Sequence, residues 1–410
     1  MATQQLDESD WRAKDAEAIV LFSPGAPIDE DDLFAGRQPQ IDQIIEAVLQ
    51  RGQHAIIYGE RGVGKTSLAR TFSLRLVRPT KTISSVMVNC DPSDDFESLW
   101  RKVYRDLSDG NQNLGETSAN PITPDEVRRT LAGFDLTTTP IIILDEFDKI
   151  VDARAKELVA NTIKCLSDYS VHATLILVGV ANSVSELVAD HQSIARALVQ
   201  VQMPRMTDKE LDEIITKRLS RIGMRITPEA KAQIVVLSRG LPHYTHLLGQ
   251  FATRQAIKGQ SLNVTEAHVD QAQKDCLQRV DQTIREQYHS ATHSPRSGNI
   301  YKEVLLACAL AEPDQLGFFP AKAVEAPLTL IMAEEYKVPK FGQHLTKLCT
   351  SERGKILEVM GTPRRYRYRF VEPLMQPFVL MSGLSDGLVQ KEILKKVMPN
   401  PLQPRLSNAF

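Results

Sequence analysis

The 410-residue sequence lacks several features that would indicate a membrane, secreted or zinc-binding protein. Its five cysteines are scattered without a C-x-x-C pair, which argues against a zinc site or a disulfide framework and fits a reducing cytoplasm. No apolar run approaches the ~20 residues of a membrane span, and no basic stretch followed by an apolar one opens the chain. We therefore expect a cytoplasmic protein without a signal peptide or a membrane partner.

The sequence also lacks an excess of charge of either sign. Lys and Arg number 49 against 51 Asp and Glu, which gives a formal net charge of −2. A chain with this balance is not a general polyanion binder, so any surface that binds nucleic acid must be a local basic patch. At this length, with 42% hydrophobic and 24% charged residues, we expect two or three globular domains.

The strongest positive signal lies at 59–66, which read GERGVGKT and fit the phosphate-loop pattern G-x-x-x-x-G-K-[ST]. An apolar strand is predicted just before it, at 55–58, and a helix just after it. Backbone N–H groups in such a loop, together with the helix N-terminus, bind phosphate oxygens. Lys65 is expected to reach the β- and γ-phosphates of ATP, and Thr66 to ligate Mg²⁺. The predicted nucleotide contacts in this stretch are Gly59, Glu60, Arg61, Gly62, Val63, Gly64, Lys65, Thr66 and Ser67.

A second motif ends the apolar run at 141–144, where Asp145 and Glu146 follow directly. Four consecutive apolar residues predict a strand that is buried on both faces of a parallel sheet. Ligands bind at the carboxyl ends of such strands. We predict that Asp145 holds Mg²⁺ and that Glu146 polarises the attacking water. The two motifs together predict a magnesium-dependent ATPase.

Phe34-x-Gly36-Arg37, before an amphipathic helix and the phosphate loop, resembles the start of AAA+ and STAND ATPase modules. The resemblance covers residues 33–285 and, with a C-terminal winged helix, reaches residue 385. It implies that Phe34 and Arg37 lie over the adenine. The alternative is an ordinary loop that leads into a packing helix.

The same resemblance assigns two further roles. Asn182 ends the apolar strand at 174–182 and matches the sensor 1 position, although it also suits the N-cap of the next helix. In the origin-recognition group of AAA+ proteins, an arginine near the fifth strand reaches the nucleotide of a neighbouring subunit. Arg196 is our first candidate for this trans finger and Arg205 the second, which implies self-association; the alternative is a solvated helix arginine.

Residues 206–286 have the helical pattern of an all-α lid. Gly240-Leu241-Pro242 resembles the lid motif of STAND ATPases, and the resemblance makes Pro242 and His243 candidate nucleotide contacts. Origin-recognition relatives usually carry an arginine close by, whereas this chain has His243 and His246. Two interpretations stay open, namely tight nucleotide retention with a slow switch, or a structural role for the histidines.

Residues 299–385 have the outline of a winged helix, with helices followed by two strands around the turn at 361–363. Arg and Tyr alternate in the last strand, which predicts an arginine-lined face and an aromatic face. A protein-facing surface is the alternative to DNA binding here. The candidate nucleic-acid contacts are Lys355, Arg364, Arg365, Arg367 and Arg369.

These observations predict an α/β fold, a P-loop NTPase with a parallel five-stranded core, an all-α lid and a C-terminal winged-helix domain. We expect an ATP-hydrolysing switch that oligomerises with nucleotide and acts on duplex DNA, similar to origin-recognition or transposition-helper ATPases. The alternative is a STAND-like signalling or defence regulator whose winged helix and lid bind a separately encoded effector protein. The predicted segments are a flexible N-terminal lead (1–30), the core (31–205), the lid (206–286), a linker (287–298), the winged helix (299–385) and a tail (386–410).

Overall fold

The computed structural model describes residues 6–25, 33–75, 82–108, 121–134, 138–179, 194–294, 298–363, 365–392 and 394. Its contacts divide the chain into two compact units. We call Pro27–Glu60 with Gly64–Pro204 the core unit. We call Met1–Ala26, Arg61–Val63 and Arg205–Phe410 the lid unit.

Helices occur in both units, and none in the described ranges is both long and apolar enough to cross a bilayer. In chain order they are α1 (Glu8–Leu21), α2 (Gln38–Leu49), α3 (Lys65–Arg75), α4 (Phe96–Ser108), α5 (Pro124–Ala132), α6 (Ala153–Asp168), α7 (Asp208–Ile222), α8 (Pro228–Ser238), α9 (Pro242–Lys258), α10 (Glu266–Arg279), α11 (Gln282–Thr292), α12 (Tyr301–Leu310), α13 (Glu325–Met332), α14 (Val338–Leu348) and α15 (Met375–Ser385).

The strands belong to three sheets. They are β1 (His54–Gly59), β2 (Thr82–Asn89), β3 (Thr138–Asp145), β4 (Thr174–Gly179), β5 (Leu198–Met203), β6 (Arg225–Ile226), β7 (Asn263–Val264), β8 (Phe319–Pro320), β9 (Leu357–Met360) and β10 (Arg367–Phe370).

The core unit contains a five-stranded parallel sheet in the order β2-β3-β4-β1-β5, which confirms the predicted core. The apolar runs of β3 and β4 are buried along almost their whole length, as expected for strands covered on both faces. Only β4 lies between β1 and β3. Since parallel strands end at the same edge, the loops that follow β1 and β3 come together there.

Local signals set several helix boundaries in this unit. Thr123 and Pro124 predict a helix start, and α5 begins at Pro124 with the Thr123 hydroxyl accepting the Glu126 N–H at 3.2 Å. The apolar face of α4 is buried, and Trp100 at its centre is fully enclosed. In the sheet layer, α4 packs against β2, and α5 packs against α6.

The N-terminal segment corrects the expectation of a flexible lead. Glu8–Leu21 form α1, which Asp7 caps with a reciprocal capping box. The buried Arg218 donates from Nε to the Leu21 carbonyl at 2.9 Å, and Phe22 is completely buried in the lid unit. The helix has no clean apolar stripe, because the apolar residues Ile19 and Val20 point to solvent.

The lid departs from the prediction at its end. The lid ends in two helices, α10 and α11, because Asp281 starts the second one by accepting the Thr283 N–H at 2.8 Å. The second helix runs to Thr292 and so occupies the first part of the predicted linker at 287–298. The predicted tail at 386–410 lies mostly outside the described residues.

The C-terminal segment, which we define as 301–385, places α12, α13 and α14 before the β9–β10 hairpin. The short β8 adds a third antiparallel strand, in the order β8-β10-β9. Tyr368 and Phe370 are buried while Arg367 and Arg369 are only partly covered, so the predicted alternation along β10 is observed. The element order fits the expected outline, and the winged-helix assignment stays a prediction.

Candidate active site

The phosphate-loop motif begins where β1 meets β5. A Cβ on Gly59 would lie 2.4 Å from the Met203 carbonyl oxygen, so that only glycine fits at this crossing. Gly64 has a φ of +94° and open space around its missing Cβ. A loop with this conformation directs its amides inward, and α3 begins directly after it, at Lys65.

The Lys65 ammonium group lies inside this loop. Its Nζ donates to the carbonyl oxygens of Glu60 at 2.8 Å and Gly59 at 3.2 Å. Glu60 and Val63 are buried, while Arg61 belongs to the lid unit. Within that unit, Arg61 Nη1 lies 3.0 Å from Glu372 Oε2. Two cations of one motif are thus held differently, Lys65 by main-chain oxygens and Arg61 by a carboxylate.

Thr66 and Asp145 meet although they are far apart in the sequence. Thr66 Oγ1 donates to Asp145 Oδ2 at 2.8 Å, and Asp145 Oδ1 accepts the Glu146 N–H at 2.9 Å. Burial raises the pKa of Asp145, although the Thr66 hydrogen bond acts in the opposite direction. A hydroxyl next to a desolvated carboxylate is a donor set that suits Mg²⁺, because a cation would relieve the cost of burying the charge.

Glu146 follows β3 in a left-handed backbone conformation, with φ 57° and ψ 35°. Its Oε2 accepts from Lys149 Nζ at 2.6 Å, and both side chains are about half exposed. Lys149 is not among the site residues predicted from the sequence. Its spacing of three residues from Glu146, just past a buried strand, is the signal that identifies the pair.

Phe34 and Arg37, predicted to lie over the adenine, are both buried in the core unit. Arg37 Nη2 donates to the Pro204 carbonyl at 2.8 Å, and Arg37 itself is the N-cap residue that precedes α2, with a φ of 64°. The guanidinium group therefore joins α2 to the end of β5. The position of Phe34 and Arg37 over the adenine stays a prediction.

The candidate sensor and finger residues have different outcomes. Asn182 lies outside the described residues, so its sensor 1 role stays a prediction. Arg196 is exposed just before β5, as a residue that reaches a second subunit must be. Arg205 Nη1 instead donates to the Arg239 carbonyl at 3.2 Å and to Gln376 Oε1. Because its own chain holds Arg205, we retain Arg196 alone as the candidate finger.

The lid histidines are neutral groups in partly or fully buried positions. Pro242 is the first residue of α9, and His243 Nδ1 lies 2.7 Å from the Pro24 carbonyl, so Nδ1 carries the proton. Burial lowers the pKa of His243, and it lowers the pKa of His246 well below the ordinary value. Neither side chain replaces the positive charge of a sensor 2 arginine at neutral pH.

The basic residues of the C-terminal segment fall into two groups. Arg367 pairs with Asp314, and Arg369 pairs with Glu358, so these two charges are compensated within the chain. Lys355 and Arg365 are exposed, with no carboxylate of the described ranges within ion-pair distance. Arg364 lies outside the described residues. The local excess of positive charge is therefore smaller than the sequence suggested.

Chemically, the end of the sheet brings together the parts needed to cleave a phosphoanhydride. Backbone amides and the Lys65 ammonium group suit phosphate oxygens, and Thr66 with Asp145 suits a divalent cation. Glu146 is the adjacent carboxylate that can accept a proton from water.

Two curated relatives match part of the chain. The ORC1-type DNA replication protein 2 of Thermoplasma acidophilum is 28% identical over 205 residues, which are 47% of this chain and 48% of that protein. The ORC1-type DNA replication protein of Thermoplasma volcanium is 24% identical over 259 residues, which are 59% of this chain and 62% of that protein. The chain thus matches less than two thirds of the length of either relative.

Solved structures share the fold over nearly the whole chain. The ORC2 protein of Aeropyrum pernix, in its ADPNP–ADP complexes, has a TM-score of 0.54 at 15% identity and covers 92% of this chain and 98% of its own. A Walker-type ATPase of Pyrococcus abyssi has a TM-score of 0.51 at 17% identity and covers 88% and 99%. At these identities the likeness shows an origin-recognition-like P-loop ATPase fold.

A family model described as novel STAND NTPase 1 matches residues 27–307, which is more than half of the chain. The match includes the phosphate loop, the acidic end of β3 and the lid helices through α11. With the parallel core and the phosphate-binding motif already described, nucleotide binding follows from this membership. The chain belongs to the novel STAND NTPase 1 family.

Proposed function

We propose that the protein is a magnesium-dependent ATPase that works as a slow molecular switch. The observation that carries the proposal is the contact between Thr66 Oγ1 and Asp145 Oδ2, 2.8 Å apart, beside the phosphate loop and Glu146. This contact joins the phosphate loop to the acidic end of β3, the two motifs that ATP hydrolysis requires, at one edge of the sheet. The neutral state of His243 supports slow turnover, because no lid cation is supplied at that position.

Each residue has one role in this scheme. The loop amides and Lys65 bind and orient the β- and γ-phosphates. A magnesium ion held by Thr66 and Asp145 supplies positive charge beside the phosphates when it is bound. Glu146 orients a water molecule and accepts its proton as the oxygen attacks phosphorus.

Steady-state hydrolysis tests the scheme. Glu146→Gln keeps the size of the side chain but removes the proton acceptor, so we expect kcat to fall roughly 10²- to 10⁴-fold with nucleotide affinity retained. Glu157→Gln, a partly exposed carboxylate on α6, is the matched control and should behave like the wild type. Full turnover by Glu146→Gln would disprove the assignment of the base.

We further propose that Arg196 acts in trans between copies of the chain. Its exposure beside β5 supports the proposal. Lys65→Ala and Arg196→Ala should each be inactive alone, whereas a mixture should regain part of the activity, because a mixed interface pairs an intact loop with an intact finger. Light scattering with and without ATP measures the assembly. Absence of both assembly and complementation would count against the finger.

We propose duplex DNA as the substrate on which the switch acts. Two relatives are named as DNA replication proteins, and Lys347, Lys355 and Arg365 are exposed on α14 and around the hairpin. Binding through these cations should weaken steeply with salt, and Arg365→Glu should lower the salt slope by about one. Lys274→Glu on α10 makes the same charge change elsewhere and is the control.

A protein partner is the second candidate, and one observation favours it. Val359, Met360 and Tyr366 expose 45%, 44% and 41% of their surfaces on the hairpin, beside the compensated Arg367. Exposed apolar groups with little net charge suit a protein surface better than a phosphate backbone. DNA affinity that is absent at low salt, or that Arg365→Glu leaves unchanged, would decide for this candidate.

A further inference from the structure

The carboxylate that the proposed hydrolysis requires is bound by an ammonium group of the same turn. Glu146 Oε2 accepts from Lys149 Nζ at 2.6 Å. We propose that Lys149 is a positioning residue that occupies Oε2 of Glu146, so that breaking this ion pair limits the rate of hydrolysis. The inference rests on the proposed function and assigns a control element to the same site.

The backbone fixes the direction in which Glu146 leaves the sheet. Its left-handed conformation is uncommon for a residue with a side chain and costs of order 1 kcal/mol. The Glu146 N–H donates to Asp145 Oδ1, and the Glu146 carbonyl accepts the Lys149 N–H at 2.9 Å. The main chain therefore closes a tight turn that brings residues 146 and 149 to the same side.

Two buried residues anchor this turn. Phe147 and Ile150 are both 1% exposed and belong to the hydrophobic core of the core unit. Since the residues that alternate with the pair are fixed in the interior, Glu146 and Lys149 remain at the surface, with 47% and 48% of their side chains exposed. The pairing is a property of the turn, and only the side chains are free to rearrange.

A second carboxylate, that of Asp91, also lies within the electrostatic influence of Lys149. Asp91 lies just beyond the C-terminal end of β2, the strand that pairs with β3. Hydrogen bonds from Ser93 lower the pKa of Asp91, and the positive charges of Lys102 and Lys149 act in the same direction.

The chemical consequence follows from the lone pairs of the carboxylate. A general base must present an unoccupied lone pair to the water that it deprotonates. An ammonium group at 2.6 Å occupies Oε2 of Glu146 and leaves Oε1 to the water, so the ion pair removes one of the two oxygens that can accept the proton. The half-exposed pair is weak, so its removal should change the rate several-fold.

Hydrolysis by side-chain variants tests this inference. Lys149→Met removes the ammonium group, so we expect kcat to rise roughly two- to fivefold with KM unchanged, the scale of a half-exposed pair. Lys149→Arg keeps the pair and should restore the wild-type rate. Lys149→Met with Glu146→Gln should be as slow as Glu146→Gln alone, because Lys149 acts through Glu146. Lys164→Met, exposed on α6, is the control.

The outcomes separate the inference from the proposed function. A wild-type kcat in Lys149→Met, or a lower one, overturns the inference if Glu146→Gln is still inactive. Hydrolysis that is absent from the wild type and from both single variants overturns the proposed function and this inference together. Thermal unfolding should show that the variants at this exposed position fold like the wild type.

Discussion

The phosphate loop and the β9–β10 hairpin are both predicted to bind phosphate, but they hold their cations differently. Lys65 in the loop donates to the main-chain oxygens of Gly59 and Glu60. Arg367 and Arg369 on β10 pair with the side chains of Asp314 and Glu358. A main-chain oxygen carries only a partial charge, whereas a carboxylate compensates a full one.

This difference determines how easily a phosphate can replace the present partners of the cations at each site. A ligand phosphate has only to replace hydrogen bonds to neutral carbonyl groups at Lys65. At β10 it competes with carboxylates of equal charge sign for the same guanidinium groups. We therefore expect strong, localised binding at the loop and weaker, salt-sensitive binding at the hairpin.

The largest expected effect comes from Lys65→Ala. The substitution removes the two charge-assisted hydrogen bonds expected to the β- and γ-phosphates, each about 1.5–3 kcal/mol, so nucleotide affinity should fall roughly 10³-fold. Isothermal titration calorimetry with ATP and magnesium measures the change.

Lys164→Ala on α6 provides the control, because that side chain is exposed and distant in sequence from the motif. A loss of nucleotide affinity of less than tenfold in Lys65→Ala would contradict the role given to Lys65. It would mean that the loop amides, rather than the ammonium group, carry the affinity.

The ion pairs of the hairpin are partly exposed, whereas the core unit contains a fully buried titratable group, His54. The ring is fully buried, and Nδ1 accepts the Leu175 N–H at 3.0 Å. Burial lowers the pKa of His54 from 6.5 to about 4. Between these pH values His54 is protonated in the unfolded chain but not in the folded one. The free energy of unfolding should therefore fall by roughly 3 kcal/mol as the pH drops from 6.5 to 4. Urea unfolding at the two pH values measures this loss.

A variant at the same position isolates this histidine from others that burial affects in the same direction, such as His246. His54→Asn offers an amide oxygen near the position of Nδ1 and does not titrate, so the loss between pH 6.5 and 4 should shrink by most of that amount. His289→Asn, exposed on α11, should keep the full loss. An equal loss of stability in both variants would show that the acid sensitivity arises from a group other than His54.

The sequence predicts the phosphate loop much better than the ion pairs of the hairpin. Gly59, Gly64 and Lys65 lie within one short segment whose spacing encodes the loop, and the run before Asp145 encodes a buried strand. Even the pair of Glu146 with Lys149 has a local signal in its spacing. Main-chain geometry of this kind depends on neighbouring residues, so pattern alone can identify it.

The ion pairs of the hairpin depend on tertiary structure. Asp314 and Arg367 are 53 residues apart in the chain, and no periodicity connects them. For the same reason the sequence missed α1, whose attachment depends on Arg218, 197 residues from the Leu21 carbonyl that it binds. Partner choice among distant charges follows from the fold and has no signature in a single sequence.

The smallest expected effect tests the hairpin by releasing one of its arginines. Asp314→Asn removes the charge that compensates Arg367 and keeps Oδ1, which accepts the N–H groups of Leu316 and Phe318 at 2.9 Å. If β10 faces DNA, affinity should rise by up to about fivefold, the value of one partly exposed pair, and the salt slope should increase by about one. Fluorescence anisotropy with a labelled duplex at several salt concentrations measures both. Asp386→Asn, at the residue just after the C-terminal segment, releases Lys302 instead and makes the same change in net charge. An equal gain in DNA affinity in both variants would mean that only the net charge matters. No gain in either variant would mean that β10 does not contact the nucleic acid. A gain confined to Asp314→Asn would place Arg367 at the phosphate backbone. The Asp314 carboxylate would then be what limits DNA binding at this hairpin, a restraint that Lys65 in the loop does not have.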